Sequence, residues 1–262
     1  MKYIGFQNGI FLQQDKIKVS VHDRGYLYGE TLFETCLWTE NKCEYFDEHW
    51  DRWQYGMKLM KLSCLYDKEA LQQIVSKVVE QNKVSTGIIR WTISYDQLNK
   101  QSNICLTVRE CIRNKSHYSD GISLKVSAYA KPDSTPFHLC KHGNYLLHMQ
   151  ELRNAQAEGF DDVLFLNHHG YVAETAIANI FWKKDEVLYT PSIDTGVLPG
   201  IMRGKIIEKY KIRGILVREG KYKIEELLQA NEVFITNCVR KVLSVRNISF
   251  EQRNYTKKIN DN

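Results

Sequence analysis

An α+β fold in two parts is predicted by three observations. The first half alternates short apolar runs with two segments of helical period. A polar stretch from Asn114 to Gly121 follows and ends on Asp-Gly. Beyond it, short strand-like runs and helical segments alternate again. We therefore divide the chain into residues 1–118 and 119–262. At 262 residues the length suits one large or two modest domains. A hydrophobic content of 43% is ample for a core, and only 4 prolines argue against long spacers.

Phe6-Gln7-Asn8-Gly9-Ile10-Phe11 reads as a hairpin, because Asn-Gly accepts the positive φ of a two-residue turn. Val19 to Glu30 mixes glycines with aromatics and shows no simple period. Leu32 to Trp38 reads as a strand, Asn41-Lys42 as a turn and Cys43 to Phe46 as the partner strand. Asp47 is placed to cap a helix from Glu48 to about Lys61. Asp67 can cap a second, with Leu71, Ile74, Val75, Val78 and Val79 on its buried side. Ile88 to Ser94 and Ile104 to Val108 return to a strand pattern, so this half is an α/β sandwich.

In the second half Ile122 to Ala130 reads as a strand and Pro132 to Pro136 as a loop. Tyr145, Met149 and Leu152 mark a helix that stops at Gly159. Val163 to Leu166 and Tyr171-Val172 pair across His168-His169-Gly170. Adjacent histidines in a turn diverge, and no third ligand is near in sequence, so we read no metal there. Ile201 to Tyr210 is helical, Ile215 to Val217 extended and Ile224 to Leu228 a short helix. Glu232 to Thr236 and Val242 to Val245 are strands, and the last dozen residues are expected to fray.

Between these elements, Val172 to Arg203 carries the chemistry. Its letters give two β runs across Lys183-Lys184-Asp185, then a Gly/Pro corner opening a helix. Glu174 lies among Val172, Ala173, Ala176 and Ile177, and a buried carboxylate needs a cation or donors. Gly200-Ile201-Met202-Arg203 offers backbone N–H groups at a helix start, which suits a phosphate. An acid that can hold a protonated ring nitrogen, plus a phosphate seat, suggests pyridoxal phosphate. A hairpin with one solvated glutamate and an ordinary helix cap fits the same letters.

The formal charge of +5 is mild, and basic residues alternate with acidic ones, so no nucleic-acid stripe is present. Such a charge can still attract a small anionic substrate. Seven scattered cysteines without a Cys-x-x-Cys argue against a disulfide framework or zinc site, and for a reducing compartment. Cys140 beside Lys141 reads as a small buried hydrophobe rather than a nucleophile. The start has no apolar leader and no long apolar run follows, so the expectation is a cytoplasmic protein without a membrane span.

Six markers in order carry a resemblance. They are Asp23-Arg24-Gly25, His49-x-x-Arg52, Lys141-His-Gly-Asn-Tyr145, Glu174 through Asn179, Gly200-Ile-Met-Arg203 and Phe234-Ile-Thr-Asn-Cys238. Together the chain resembles the class IV (fold-type IV) pyridoxal-phosphate enzymes: branched-chain and D-amino-acid aminotransferases and 4-amino-4-deoxychorismate lyases. The resemblance implies a two-domain fold with a C-terminal pseudo-barrel, pyridoxal 5'-phosphate as cofactor and a homodimer. It implies that Lys141 tethers the cofactor and shuttles protons, and that Glu174 partners the ring nitrogen. Arg52, Ile201, Met202, Asn237 and Cys238 would hold the phosphate, with Tyr145 and Asn179 also at the cofactor. Met202 and Cys238 stand where threonine is common in such enzymes.

Within this family the letters lean towards the lyase. Asn179-Ile-Phe-Trp-Lys-Lys and Gly200-Ile-Met-Arg203 are similar to lyase forms, and Thr35 falls where lyases carry threonine. A hydroxyl there could serve proton transfer or a substrate hydrogen bond, although a β-branched strand residue is the plainer account. Tyr145, in a position where bacterial lyases often have arginine, and Asp23-Arg-Gly-Tyr26 point instead to aminotransferases. Arg90 is the candidate for a substrate carboxylate, and Tyr28, with His22 and Arg24, for the surroundings of a site. The substrate is expected to be aminodeoxychorismate or, on the alternative, an amino acid.

Overall fold

The computed structural model describes residues 3–111, 120–251 and 253–256. Most of the expected linker lies outside the described residues; of the last dozen residues, expected to fray, Arg253–Thr256 instead pair as a strand with Asn247–Phe250. Contacts divide the chain into two compact units, Met1–Arg113 with Cys140–Asn144, and Asn114–Leu139 with Tyr145–Asn262. The piece bearing Lys141, which the sequence reading groups with the second half, thus packs with the first. Phe33 N donates to Lys141 O at 2.8 Å and Gly143 N to Thr31 O at 2.9 Å, so this piece runs alongside a strand.

The first unit is a six-stranded antiparallel sheet backed by two helices. Its strands are β1 (Ile4–Gln7), β2 (Ile10–Gln13), β3 (Leu32–Thr39), β4 (Lys42–Cys43), β5 (Gly87–Asp96) and β6 (Gln101–Glu110), in the order β2-β1-β6-β5-β3-β4. Asn8 and Gly9, both at positive φ, make the β1–β2 turn. Helices α2 (Phe46–Met60) and α3 (Lys68–Asn82) bury Trp53, Met57, Leu71, Val75 and Val78 against Ile89, Trp91 and Leu106 of the sheet. As the sequence requires, Asp67 caps α3, accepting from Ala70 N at 2.8 Å.

Three local expectations are corrected. Helix α2 starts at Phe46 after Tyr45 in the left-handed region, with Asp47 in its first turn rather than at the cap. The buried Phe46 ring against Trp91, 5.8 Å between centroids, draws that turn into the core. Consequently β4 is shorter than the expected partner strand. In addition, Cys36 and Cys43, expected as thiols, are bonded to each other where β3 turns back into β4; Cys64, Cys105, Cys111, Cys140 and Cys238 are free. Finally, the aperiodic segment contains a short helix, α1 (Arg24–Tyr28). Asp23, 1% exposed, caps it through Gly25 N at 2.7 Å and also accepts from Ser94 Oγ at 2.7 Å. Gly25 has no alternative there, since a Cβ would stand 2.2 Å from Thr31 Cγ2.

The second unit contains a closed barrel. Its strands are β7 (Ile122–Val126), β8 (Asp162–Leu166), β9 (Val172–Thr175), β10 (Asn179–Lys184), β11 (Val187–Pro191), β12 (Val217–Gly220), β13 (Glu232–Asn237), β14 (Lys241–Phe250) and β15 (Arg253–Thr256). The ring runs β10-β13-β14-β7-β8-β9 and closes by β9 pairing with β10; β11, β12 and β15 extend it. Ile122, Leu124, Leu164, Val172, Ile180, Trp182, Ile235 and Val245 belong to its core. Helices α4 (Leu146–Ala157), α5 (Ile201–Ile212) and α6 (Ile224–Leu228) complete the unit, α5 resting through Ile206 and Ile207 on the stacked rings of Phe181 and Phe234. No described helix is long and apolar enough to cross a membrane.

Asp23 combines a helix cap with a buried side-chain bond. Asp23→Ala is therefore expected to cost about 2 kcal/mol, read as a lower urea midpoint with an unchanged slope.

Candidate active site

Strand alternation sorts the side chains of β3 onto two faces. Glu34 points to the helices and is 1% exposed. Its carboxylate accepts from His49 at 2.7 Å, where Nδ1 must be the donor, and from Arg52 through Nε at 2.8 Å and Nη2 at 2.6 Å. His49 and Arg52 reach it together because three residues along a helix return to one face. Burial by itself would raise the Glu34 carboxyl, but the Arg52 charge and the bonds from Arg52 and His49 hold it down to about 2. Glu34 thus fixes the plane of the guanidinium that the sequence singled out.

Phe33 and Thr35 take the other face. The Phe33 ring receives the Arg90 guanidinium at 3.6 Å and the Lys141 ammonium at 4.6 Å from its centroid. Thr35 lies directly opposite Arg90 in the β3–β5 register. An amine and an exposed guanidinium therefore gather at one aromatic side chain, with Thr35 paired to the residue that bears the guanidinium, an arrangement that attracts a carboxylate. Next to Lys141, burial pushes the Cys140 thiol up to about 11, as expected of an inert residue. Tyr28 is 59% exposed on α1, its ring 5.0 Å from the Arg24 guanidinium, which itself binds Glu30.

In the second unit Glu174 sits where the barrel closes, paired with Asn179. It is buried. Oε2 accepts from Asn179 Nδ2 and from Leu198 N, each at 3.1 Å, and the Lys131 ammonium lies 3.2 Å from Oε1. Asn179 also donates to Leu198 O at 2.9 Å, which fixes the approach to α5. That helix begins at Ile201 after Gly200 with no side-chain cap. A Cβ at Gly200 would stand 2.0 Å from Asn179 Oδ1, so only glycine fits.

Thr236 faces Asn179 across the β10–β13 pair, is 1% exposed, and its hydroxyl has no hydrogen-bond partner among the described residues. After it, Asn237 holds a turn, its Oδ1 accepting from Val239 N and Arg240 N and its amide donating to Ile177 O; Cys238 lies half-buried on that turn. Tyr145 precedes α4, half-buried, its ring 5.0 Å from that of His148. Arg203, the end of the Gly-Ile-Met-Arg marker, binds Pro191 O and Glu219 and so ties α5 to its neighbouring strands.

These residues fit pyridoxal phosphate. An uncapped helix start, a glycine cradle and an unsatisfied buried hydroxyl suit a phosphate, while a buried carboxylate suits a ring nitrogen. Sequence reasoning missed Phe33, Glu34, His49 as a partner of Glu34, Lys131 and Thr236. The His-x-x-Arg spacing was the available signal for the Glu34 cluster; Lys131 and Thr236 carried none.

Comparison with known proteins bears on this geometry. The profile described as "Amino-transferase class IV" matches residues 31–248. The aminodeoxychorismate lyase of Bacillus subtilis (strain 168) is 28% identical over 261 residues, spanning 95% of this chain and 87% of its own. A D-alanine aminotransferase of Listeria monocytogenes serotype 1/2a (strain 10403S) is 26% identical, spanning 92% and 86%. Among solved structures, a T.th. branched-chain amino acid aminotransferase complexed with N-(5'-phosphopyridoxyl)-L-glutamate aligns with a TM-score of 0.85 at 26% identity, covering 95% of this chain and 86% of that one.

Glu34→Gln leaves the Arg52 charge buried without its counter-ion, and a loss of about 3 kcal/mol in unfolding free energy is expected near neutral pH. Because folding lowers the Glu34 carboxyl from 4.5 to about 2, the wild-type advantage is present above 4.5 and fades as pH falls towards 2. Denaturant melts of both proteins across that window test the sign.

Proposed function

The chain belongs to the class IV amino-transferase family, and on that premise we propose that it is a lyase converting aminodeoxychorismate into 4-aminobenzoate and pyruvate. Pyridoxal 5'-phosphate is the cofactor of that family, and when bound it supplies an electron sink for the carbon bearing the substrate amine. The observation that carries the reading is the Phe33 face, where the Lys141 ammonium and the Arg90 guanidinium meet and Thr35 lies opposite Arg90. The similarity to the Bacillus subtilis lyase over nearly the whole chain supports it.

Lys141 would hold the cofactor, and its amine would take the proton from the amine-bearing substrate carbon. The neighbouring carbon–oxygen bond breaks, enolpyruvate leaves and picks up a proton as pyruvate, and the ring becomes aromatic. Thr35 relays that proton or holds the leaving group by a hydrogen bond. Arg90 binds a substrate carboxylate as a planar fork, with Tyr28 on the substrate side. Glu174 would partner the ring nitrogen, and Arg52, the N–H groups of Ile201 and Met202, and the Asn237–Cys238 turn would hold the phosphate. On the same reading the protein acts in the cytoplasm as a homodimer and supplies a folate precursor.

A second reading, an aminotransferase for branched-chain or D-amino acids, is favoured by Tyr145 and by the Listeria relative. The two differ in stoichiometry. Cofactor-loaded protein given aminodeoxychorismate alone is expected to release 4-aminobenzoate and pyruvate in equal amounts. Turnover that requires an amino-acid and keto-acid couple would reassign it to the second reading.

Lys141→Ala is expected to lower turnover at least about a thousandfold while phosphate contacts retain some cofactor, read as bound cofactor after desalting. Unchanged turnover would remove Lys141 from its role.

A further inference from the structure

Lys131 is a buried cation that the reaction as written does not use. It is 6% exposed, and a lysine is rarely buried unless paired. Its backbone is fixed first: Lys131 N donates to Leu166 O at 2.8 Å, and Lys131 bridges Asn167 in parallel. Its ammonium donates to Gly196 O at 2.6 Å. Gly196 is at φ +88, and a Cβ there would stand 2.8 Å from Asp133 Cα, so the loop carrying this carbonyl is packed against the residues just after Lys131. The ammonium is thus delivered to one place, 3.2 Å from Glu174 Oε1. The other carboxylate oxygen is taken by Asn179 and Leu198.

We propose that Lys131 is a positioning residue that decides on which side of the contact between Glu174 and the cofactor ring nitrogen the proton rests. The inference relies on the reading that Glu174 partners that nitrogen. With two N–H donors on Oε2 and an ammonium within ion-pair distance of Oε1, the carboxylate is set to accept rather than donate at the ring nitrogen. Glu174 then stays a hydrogen-bond acceptor, and the proton stays on the ring. A cation on a flexible surface stem could not do this, because solvent would screen it; burial and the Gly196 carbonyl hold it in range. No bond is made or broken by Lys131 itself.

The test reads the ring nitrogen directly. Wild type, Lys131→Met, Lys131→Gln and Lys131→Arg are each reconstituted with pyridoxal phosphate labelled with nitrogen-15 in the ring, and the nitrogen resonance is recorded. Wild type and Lys131→Arg are expected at the pyridinium position, and Lys131→Met and Lys131→Gln shifted towards neutral pyridine, with kcat falling more than KM rises. If either neutral variant folds, binds cofactor and keeps the pyridinium resonance, the proposal is overturned and Lys131 is a structural staple. If both neutral variants fail to fold, a Lys131→Arg resonance away from the pyridinium position overturns it, and one at that position supports it. Wild type that takes up no cofactor would instead remove the functional reading on which the inference rests.

Discussion

The barrel of the second unit depends on one carboxylate. Its closing seam, β9 against β10, is set by a single paired position, Glu174 with Asn179. So short a ladder supplies few backbone bonds, and side chains finish the seam. Asn179 bridges Glu174 and Leu198 O, Leu198 N returns to the carboxylate, and Lys131 arrives from the loop after β7. A buried anion must be satisfied on both oxygens. That requirement sets the positions of three separate segments at once, and one of them leads straight into α5. Buried ion pairs contribute little net stability compared with apolar packing of the same volume. The wall therefore gains location from this arrangement more than energy.

A second buried carboxylate does comparable work in the first unit. Glu34 gathers His49 and Arg52 from one helix face, while its strand neighbours Phe33 and Thr35 project the other way. Period-two alternation thereby lets a single strand serve both purposes. One face anchors the helices, and the other carries the aromatic side chain under Lys141 and Arg90. Register follows: a slip of one residue would bury Thr35 and expose Glu34, so the charge cluster also protects the alignment of β3 with β5.

Much of this was legible in the residues. The Asn-Gly hairpin, the Asp67 cap and the strand–turn–strand of β8 and β9 depend on neighbours in sequence, and local chemistry dictates them. Glu174 was legible because an acid among Val172, Ala173 and Ala176 is costly unless partnered. Helix α1 was not, since its stability comes from Asp23 reaching Ser94 and Asn103 rather than from any apolar period. Lys131 fell between the expected strand and the expected loop, and its partners, Gly196 and Glu174, are remote in the chain. Thr236 was only the end of an expected strand, and its register opposite Asn179 is what sets it apart. The Cys36–Cys43 pairing was hidden in a scattered set whose spacing says nothing about a tight hairpin.

The start of α5 joins these strands of argument. A helix leaves its first N–H groups without internal partners, and the usual remedy is Ser, Thr, Asp or Asn at the cap. Here the cap is Gly200, and the Asn179 side chain fills the space where a Cβ would stand. Ile201 and Met202 are nonetheless buried, so ordinary solvation is restricted. On the proposed reading this uncapped helix start and the Thr236 hydroxyl, which has no partner among the described residues, would receive the phosphate. Methionine at 202 supplies no side-chain donor, whereas Thr236 brings a hydroxyl from the opposing strand. On the proposed reading the phosphate seat is thus assembled from backbone and a neighbouring strand, and its shape follows from the same Asn179 that closes the barrel around Glu174.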